Sequence, residues 1–204
     1  MKNEEMRNEL HTLNNLRKYH IILASNSPRR RELLAGLDIP FEVRVLPGID
    51  ESYPDDMDTT MTAEHIAHKK AEAYRLSMAA NELVITADTV VIVDGEVLGK
   101  PHDAAEAKAM LYKLSGKTHQ VITGVCLTTT ERQRRFSVKT NVTFKTLSNS
   151  EIDYYVETYK PFDKAGAYGI QEWIGHIGVT ALNGSYFNVM GLPVQRIYNE
   201  LLDF

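Results

Sequence analysis

The sequence has very little cysteine and no long apolar run. Cys126 is the single cysteine in 204 residues, so no internal disulfide can form. A lone cysteine is compatible with a reducing cytosol. No apolar run approaches the length of a membrane span, and residues 1–20 lack the apolar core of a signal peptide. We therefore expect a cytoplasmic protein that does not enter a membrane.

An excess of positive charge is also missing. The 23 Lys and Arg residues are outnumbered by 27 Asp and Glu, which gives a formal net charge of −4. Nucleic-acid-binding proteins normally present a basic face, so a general DNA- or RNA-binding role is disfavoured. Hydrophobic residues make up 43% of the chain and charged residues 25%, which is ordinary for a globular protein with a sizeable core.

The most informative stretch is IILASNSPRRRELL, at residues 21–34. Its apolar start predicts a buried strand. Ser27 followed by Pro28 predicts a helix start, because a hydroxyl caps the helix and proline suits its first position. Three arginines at 29–31 then fall in the first turn, which the helix dipole already makes positive. A bound phosphate would explain this placement; the alternative is three solvated arginines paired with acids such as Glu32.

Strand and helix patterns alternate along the rest of the chain. Strands are predicted at 41–45, 83–93, a short return strand ending at 99–101, 118–130 and 134–146. Helices are predicted at 63–80 with Thr62 as cap, at 103–114, from a Ser148–Glu151 capping box to about 159, and from Pro193 to about 202. Hairpins occur among interleaved helices, so the sheet should be mixed and the class α/β.

Candidate functional residues of both charges stand out from this pattern. Asp88 lies in the middle of the apolar strand at 83–93, and burying a carboxylate is costly unless it is paired or bound to a metal. Such a frame favours a functional role at least as much as a structural one. Glu51 follows in an acidic turn after the strand at 41–45. Lys70 shares a helical face with apolar neighbours, so it either extends to water or reaches into a site. Lys100 lies at a strand end.

Cations near two carboxylates suit the chemistry of phosphate esters. Cations neutralise phosphate oxygens, while carboxylates hold a divalent metal or deprotonate water. Mg²⁺ typically takes one or two carboxylates together with substrate phosphates. The serine-hydrolase elbow, the P-loop and the dinucleotide-binding glycine motif are all absent. Ser25 and Ser27 have no base nearby in sequence and are interpreted as turn and capping residues. The residues alone therefore indicate a metal-assisted hydrolase or a binder of a phosphorylated small molecule.

Residues 161–171, PFDKAGAYGIQ, are unusually rich in glycine for a packed segment. They combine an Asp-Lys pair, a tyrosine and a glutamine with these glycines. We expect close backbone approach to a ligand or a partner here.

Several of these stretches, taken in order, resemble the Maf family of nucleoside triphosphate pyrophosphatases. The matching motifs are SNSPRRRELL at 25–34, ADT at 87–89, GKP at 99–101, LSG at 114–116, DKAGAYGIQ at 163–171 and NVMGLP at 188–193. The resemblance runs from about Tyr19 to the C-terminus. It implies a polar leader at 1–18, followed by a single Maf-like catalytic domain at 19–204.

The resemblance implies an ITPase-like α/β fold with two lobes, a mixed, elongated sheet and a central cleft, often assembled as a homodimer. It implies hydrolysis of a nucleoside triphosphate between the α and β phosphates, with Mg²⁺ or Mn²⁺ as cofactor. Thr89 directly after Asp88, together with the GIQ sequence at 169–171, resembles the pattern of the Maf branch that acts on dTTP and UTP. Modified pyrimidine triphosphates are further candidate substrates.

The site residues implied by the resemblance are one catalytic carboxylate and its surroundings. Asp88 would activate water and, with Glu51, hold the metal. The substrate-binding residues would be Ser25, Ser27, Arg29, Arg30, Lys70, Thr89, Lys100 and Gln171. Of these, the ones that match positions tied to substrate preference are Arg29, Thr89 and Gln171. The ones expected to grip phosphate are Arg30, Lys70 and Lys100.

One position departs from the family pattern, and one alternative function stays open. Glu172 stands where the family usually has a small residue, so it adds a charge beside Gln171. The alternative is a nucleotide-binding regulator of cell division or septum formation without essential turnover. Asp88 is expected to be buried. A buried carboxylate favours catalysis, because a pure binder needs no buried base.

Overall fold

The computed structural model describes residues 12–204 and contains a seven-stranded mixed sheet. The strands are β1 (His20–Leu23), β2 (Glu42–Val43), β3 (Glu82–Val93), β4 (Glu96–Leu98), β5 (Thr118–Thr128), β6 (Gln133–Phe144) and β7 (Val179–Asn183). Their order is β2-β1-β3-β5-β6-β7, with β4 paired to β3. The first three strands are parallel, whereas the hairpin strands are antiparallel. The predicted α/β class with a mixed sheet is confirmed.

Short helices cover the sheet. They are α1 (Pro28–Ala35), α2 (Thr62–Arg75), α3 (Ala104–Leu114), α4 (Asn149–Tyr159), α5 (Trp173–Gly178), α6 (Tyr186–Met190) and α7 (Val194–Leu202), with 3-10 turns at Asn14–Lys18, Thr59–Met61 and Ala165–Ala167. The predicted start of α1 is confirmed, since Ser27 caps the helix. So is the Ser148–Glu151 capping box of α4. No helix within residues 12–204 combines the length and apolar character that a bilayer crossing needs.

Two predicted elements are shorter than expected. The strand predicted at 41–45 is reduced to β2, because the chain pairs with β1 over that short length and then leaves the sheet. The helix predicted at 63–80 ends at Arg75, where Leu76 is 92% exposed and further helix would bury nothing. Thr62 is the first residue of α2 and not its cap, and its Oγ1 has no hydrogen-bond partner among the described residues.

Two large apolar clusters lie along the sheet, and β3 runs through both. Leu83 and Ile85 belong to the cluster with β1, α1 and α7, whereas Val91 and Val93 belong to the cluster with α3 and α4. Asp88 falls between them on the same strand. The two clusters form the cores of two lobes, and the middle of β3 is where the lobes meet.

Helix α2 packs directly onto the sheet beside Asp88. In the β3–β5 pairing, Asp88 faces Gly124. A Cβ on Gly124 would lie 2.3 Å from the backbone nitrogen of Glu64 and 2.4 Å from the carbonyl carbon of Ala63. The absence of a side chain at 124 therefore lets the first turn of α2 touch β5. Cys126, two residues along, is fully buried under α2, and burial raises the pKa of its thiol to about 12.

The described part of the N-terminal segment packs onto the domain. Residues 1–11 of the predicted leader lie outside the described residues. Leu13 and Leu16 are buried in the cluster with α7, and the Asn15 side chain donates a hydrogen bond to the Leu201 carbonyl, 2.8 Å away. Residues 12–18 are mostly polar, but their two leucines make an apolar contact with the C-terminal helix α7.

Candidate active site

A cleft of about 450 Å³ lies where the two lobes meet. It is bounded by the start of α1, the loop before α2, the middle of β3 and the segment at 161–171. Every candidate residue named from the sequence lines this cleft: Ser25, Ser27, Arg29, Arg30, Glu51, Lys70, Asp88, Thr89, Lys100 and Gln171. The fold therefore brings together residues that are far apart in sequence, in the central cleft that was predicted.

The chemical centre of the cleft is a lysine between two carboxylates. Lys70 Nζ is 2.8 Å from Asp88 Oδ1 and 3.1 Å from Glu51 Oε1. The side chains of Lys70 and Asp88 are only 13% and 14% exposed, whereas Glu51 is half exposed. Lys70 thus reaches into the site and does not extend to water. Asp88 Oδ2 accepts no hydrogen bond from residues 12–204, so it is open to the cleft.

This pair of carboxylates fits a divalent metal that arrives with phosphate. Within the described chain no group of three or more His, Cys, Asp or Glu side chains could hold a metal alone. Mg²⁺, however, binds through one or two carboxylates and fills its remaining positions with water and substrate phosphates. The oxygens of Asp88 and Glu51 already converge on one cation, the Lys70 ammonium. The donor set therefore suits a metal that is completed by a triphosphate.

Arg30 is a half-buried clamp between three parts of the chain. Its guanidinium donates to the Gly191 carbonyl at 2.8 Å, to the Ala87 carbonyl at 2.8 Å and to Thr89 Oγ1 at 3.1 Å. Burial lowers the pKa of Arg30, and the Asp88 carboxylate partly opposes that shift; the group stays charged. Three of its five N–H donors are committed to the protein. Arg30 therefore holds α1, β3 and the segment before α7 together while facing the cleft.

Arg29 and Lys100 contribute charge differently from Arg30. Arg29 reaches across to the 161–171 segment, where it donates to Asp163 Oδ2 at 2.8 Å. Lys100 is exposed at the rim and forms no ion pair with any residue in the range 12–204. Arg31 is exposed.

The two serines and Thr89 are held by local hydrogen bonds. Ser25 Oγ accepts from the backbone N–H of Ser27 at 3.2 Å, and Ser27 Oγ accepts from Arg30 N–H at 3.4 Å. Thr89 Oγ1 lies 2.9 Å from Thr123 Oγ1. These contacts shape the wall of the cleft around the α1 N-terminus, consistent with turn and capping roles for the serines.

A charged network that the sequence analysis did not name as part of the site lies opposite Asp88. Asp163 accepts from Arg29 on one oxygen and from Lys164 on the other, 2.8 Å away in each case. Burial alone would raise the pKa of Asp163, but the hydrogen bonds from Lys164 and Arg29 outweigh it and lower the pKa to about 2. Lys164 is buried and also lies 3.1 Å from Glu172 Oε1. The adjacent Asp-Lys pair in a glycine-rich stretch was the signal that could have identified them.

The Glu172 carboxylate is hydrogen-bonded and ion-paired within this network. Its second oxygen accepts a short hydrogen bond from Tyr155, whose hydroxyl in turn accepts from the backbone N–H of Gly169 at 3.0 Å. With Lys164 on the other oxygen, the Glu172 charge is not directed at the neighbouring glutamine. Gln171 lines the cleft, and its Oε1 is buried without a hydrogen-bond partner among the described residues. A buried unpaired oxygen is costly, so this position is suited to a ligand donor.

Residues 20–204 match the family model described as Maf-like protein. The chain belongs to the Maf family. This agrees with the motifs quoted above, all of which except LSG at 114–116 contribute residues to one cleft.

Curated relatives align over nearly the whole Maf chain. A protein of Phocaeicola vulgatus named dTTP/UTP pyrophosphatase is 65% identical, with 93% of this chain and 98% of that protein covered. One from Parabacteroides distasonis with the same name is 60% identical over 94% of this chain and all of that protein. A third, from Bacteroides thetaiotaomicron and also so named, is 58% identical over 93% and 98%.

Solved structures with related names are more distant. A nucleoside-triphosphatase / dITP/XTP pyrophosphatase from Mycobacterium abscessus has a TM-score of 0.45 at 16% identity, covering 89% of this chain and 93% of its own. A HAM1 protein from Coxiella burnetii has a TM-score of 0.43 at 14% identity, covering 91% and 100%.

Proposed function

We propose that this Maf-family chain hydrolyses dTTP and UTP to the nucleoside monophosphate and pyrophosphate. The observation that carries the proposal is the convergence of Arg29, Lys70 and Lys100 with Asp88 and Glu51 in one cleft. Cations beside two carboxylates are what phosphoryl chemistry requires. The relatives named dTTP/UTP pyrophosphatase support the substrate class. Pyrimidine triphosphates with modified bases are further candidates.

The triphosphate lies between the α1 N-terminus and the carboxylates. Arg29, Lys70 and Lys100 neutralise phosphate oxygens, with the field of Arg30 behind them. Asp88 Oδ2, which has no partner in the described chain, takes a proton from the attacking water. The water oxygen forms a new bond to the α phosphorus, the oxygen that bridges the α and β phosphates leaves with its electron pair on the β phosphate, and pyrophosphate departs.

Asp88 and Glu51 would hold Mg²⁺ or Mn²⁺ beside the triphosphate. The metal supplies charge neutralisation and polarises the phosphoryl oxygens. The two carboxylates that would hold the metal are the ones that now contact Lys70. Asp88 Oδ2 is left to accept the proton.

Gln171 gives the base preference a physical basis. Uracil and thymine both carry an N3–H donor between two carbonyl oxygens, whereas cytosine has an acceptor at that position. The buried, unpaired Oε1 of Gln171 suits the N3–H, and its amide group can donate to an adjacent carbonyl. A site that leaves a buried polar group unpaired with the wrong base discriminates strongly against that base.

The test is a substrate panel with Mg²⁺ or Mn²⁺. We expect pyrophosphate and the monophosphate in equal amounts from dTTP and UTP, with much slower turnover of CTP. Pyrophosphate is measured by a coupled assay and the nucleotides by chromatography. Absence of pyrophosphate from both dTTP and UTP contradicts the proposal, and release of orthophosphate in its place indicates cleavage of a different bond.

The same panel tests the regulator hypothesis, for which tight nucleotide binding without turnover is the expected result. The open oxygen of Asp88 favours catalysis.

We also propose that the chain, with its single catalytic domain, forms a homodimer. Light scattering after gel filtration measures this oligomeric state directly.

A further inference from the structure

The feature that carries a further inference is the position of the Lys70 ammonium. It lies 2.8 Å from Asp88 Oδ1 and 3.1 Å from Glu51 Oε1, the oxygens best placed to bind a divalent metal. No other Lys, Arg or His side chain between residues 12 and 204 forms an ion pair with either carboxylate. Lys70 is therefore the ion-pair partner of both carboxylates within residues 12–204, and Arg30 acts on them only at longer range.

The ammonium and a divalent metal compete for the same place. A Mg²⁺ ion binds carboxylate oxygens at about 2.0–2.1 Å, so a metal on both oxygens would come very close to Nζ at its present position. Two like charges at that distance in a partly buried cleft repel strongly. Lys70 must therefore leave these oxygens before a metal takes them.

The lysine has a means of leaving. Its ammonium is carried by a flexible four-carbon stem on α2 and is not fixed by a planar fork as a guanidinium would be. A triphosphate in the cleft offers Nζ new acceptor oxygens beside the carboxylates. Substrate therefore gives Lys70 a second position, and the carboxylates become free at the moment when the phosphates are present to complete the metal's ligands.

We propose that Lys70 is an internal counter-cation that keeps a divalent metal off Asp88 and Glu51 until a nucleoside triphosphate draws it away. The free protein should bind metal weakly, and metal and nucleotide should bind cooperatively. This ordering rests on the proposed function, because it requires a triphosphate as the second ligand. The competition itself is a property of the free protein and is tested without nucleotide.

The experiment is a Mn²⁺ titration of the nucleotide-free protein, followed by electron paramagnetic resonance of the unbound ion. We expect Lys70→Met to bind Mn²⁺ at least about tenfold more tightly than the wild type, because the competing charge is gone. Lys70→Arg keeps the charge and should bind as weakly as the wild type. Adding Asp88→Asn to Lys70→Met should abolish the gain, which places the bound ion at these carboxylates.

Lys69 supplies a matched control on the same helix. Its ammonium pairs with Asp50 at 2.7 Å, and neither residue lines the cleft. Lys69→Met removes the same charge from the next position and should leave Mn²⁺ affinity unchanged. Equal tightening by Lys69→Met and Lys70→Met overturns the proposal, since the effect would then be one of overall charge. No tightening in Lys70→Met also overturns it.

A second measurement uses the wild type alone, so a variant that fails to fold does not remove the test. We expect a non-hydrolysable UTP analogue with a methylene bridge between the α and β phosphates to raise Mn²⁺ affinity beyond what the analogue binds in solution. By linkage, Mn²⁺ raises the affinity for the analogue by the same factor. Equal Mn²⁺ affinity with and without bound analogue contradicts the ordering.

The two proposals fail in different ways. If dTTP and UTP yield no pyrophosphate while Lys70→Met still tightens Mn²⁺ binding, the function is wrong and the counter-cation stands. If pyrophosphate is released but Mn²⁺ affinity does not depend on residue 70, the function stands and the counter-cation proposal is wrong.

Discussion

The two sides of the cleft differ in how completely their charges are already paired. On the side of the 161–171 segment, Asp163 bridges Arg29 and Lys164, and Glu172 bridges Lys164 and Tyr155. On the opposite side, Asp88 and Glu51 both pair with Lys70, and Asp88 Oδ2 has no hydrogen-bond partner within residues 12–204. We call these the paired side and the open side.

The difference indicates a division of labour. Groups that are fully hydrogen-bonded before substrate arrives are fixed, and fixed groups position a ligand without a cost of reorganisation. Groups with unused oxygens or protons are the ones that a substrate, a water or a metal can complete. Chemistry should therefore be lost by changes on the open side, while changes on the paired side should alter binding or stability.

The largest effect should come from Asp88→Asn on the open side. The amide keeps the shape but cannot accept the proton of water, so kcat should fall about a thousandfold, within the usual range for a lost general base. Pyrophosphate release measures turnover, and calorimetry measures nucleotide binding, which should be largely spared. Asp153→Asn, which removes a carboxylate paired with Lys108 outside the cleft, is the control. Near-normal turnover in Asp88→Asn would show that Asp88 is misassigned.

Arg30 holds the backbone of β3 and of the segment before α7 next to the open side, and Arg30→Met should be the most destabilising change. It leaves the buried carbonyls of Ala87 and Gly191 without their donors, so the free energy of unfolding should fall by about 3 kcal/mol. Urea denaturation measures the loss. Arg31→Met, at the exposed neighbouring arginine, should stay within about 0.5 kcal/mol of the wild type. Equal stability of the two variants would show that the Arg30 hydrogen bonds do not stabilise the fold.

On the paired side, a buried histidine in contact with the 161–171 segment should make the free energy of unfolding depend on pH. His119 contacts the Tyr168 hydroxyl at 2.7 Å, and burial lowers the pKa of His119 to about 4 from the ordinary 6.5. Between these values the unfolded chain binds a proton that the folded chain refuses. The stabilisation is thus full above about pH 6.5 and is lost as pH falls to about 4, by about 2 to 3 kcal/mol.

The comparison variant for this prediction is His119→Gln, which does not titrate. Urea denaturation at a series of pH values should give it a shallower loss of stability than the wild type between pH 6.5 and 4. Parallel profiles for the two proteins would mean that His119 takes up its proton as readily in the folded chain as in the unfolded one.

The smallest effect should come from Asp163→Asn on the paired side. It frees Arg29 and Lys164 from their shared carboxylate, so KM for dTTP should rise by about three- to tenfold while kcat changes less than about twofold. The free energy of unfolding should change by less than about 1 kcal/mol, because the Arg29–Asp163 pair is partly exposed. Asp94→Asn, whose partner Lys117 is remote from the cleft, should change neither. A collapse of kcat in Asp163→Asn would end the division between the two sides.

The sequence predicted the elements whose signals are local. Ser27 and Pro28 mark the start of α1 by their own chemistry, and the β-branched run around Asp88 marks β3. Those same motifs, together with the Maf resemblance, also identified the residues that line the cleft. A motif gives residue identity and order along the chain, which is sufficient to select candidate members of a site.

The elements between residues 172 and 190 were not predicted, because their stability is not local. Helix α5 contains Gly175 and Gly178, which disfavour helix. Its packing needs Gly175, because a Cβ there would lie 1.9 Å from the Ile170 carbonyl oxygen. Strand β7 exists through its pairing with β6, and no alternating pattern in its own sequence indicates that partner.

The different fates of Arg29 and Arg30 were equally beyond the sequence. Both were predicted to belong to the site, and both line it. Which one is fixed by backbone carbonyls and which one reaches to a carboxylate depends on Gly191 and Asp163, more than 130 positions away. Such long-range partners are set by the fold, and periodicity carries no information about them.

Gly124 sets a limit on mutational tolerance that no contact with substrate would reveal. Any side chain there would push the first turn of α2 away from β5, and Lys70 lies further along the same helix. A saturation screen for activity should therefore find position 124 about as intolerant as position 88. A glycine facing neither nucleotide nor solvent would then score as an essential residue of the active site.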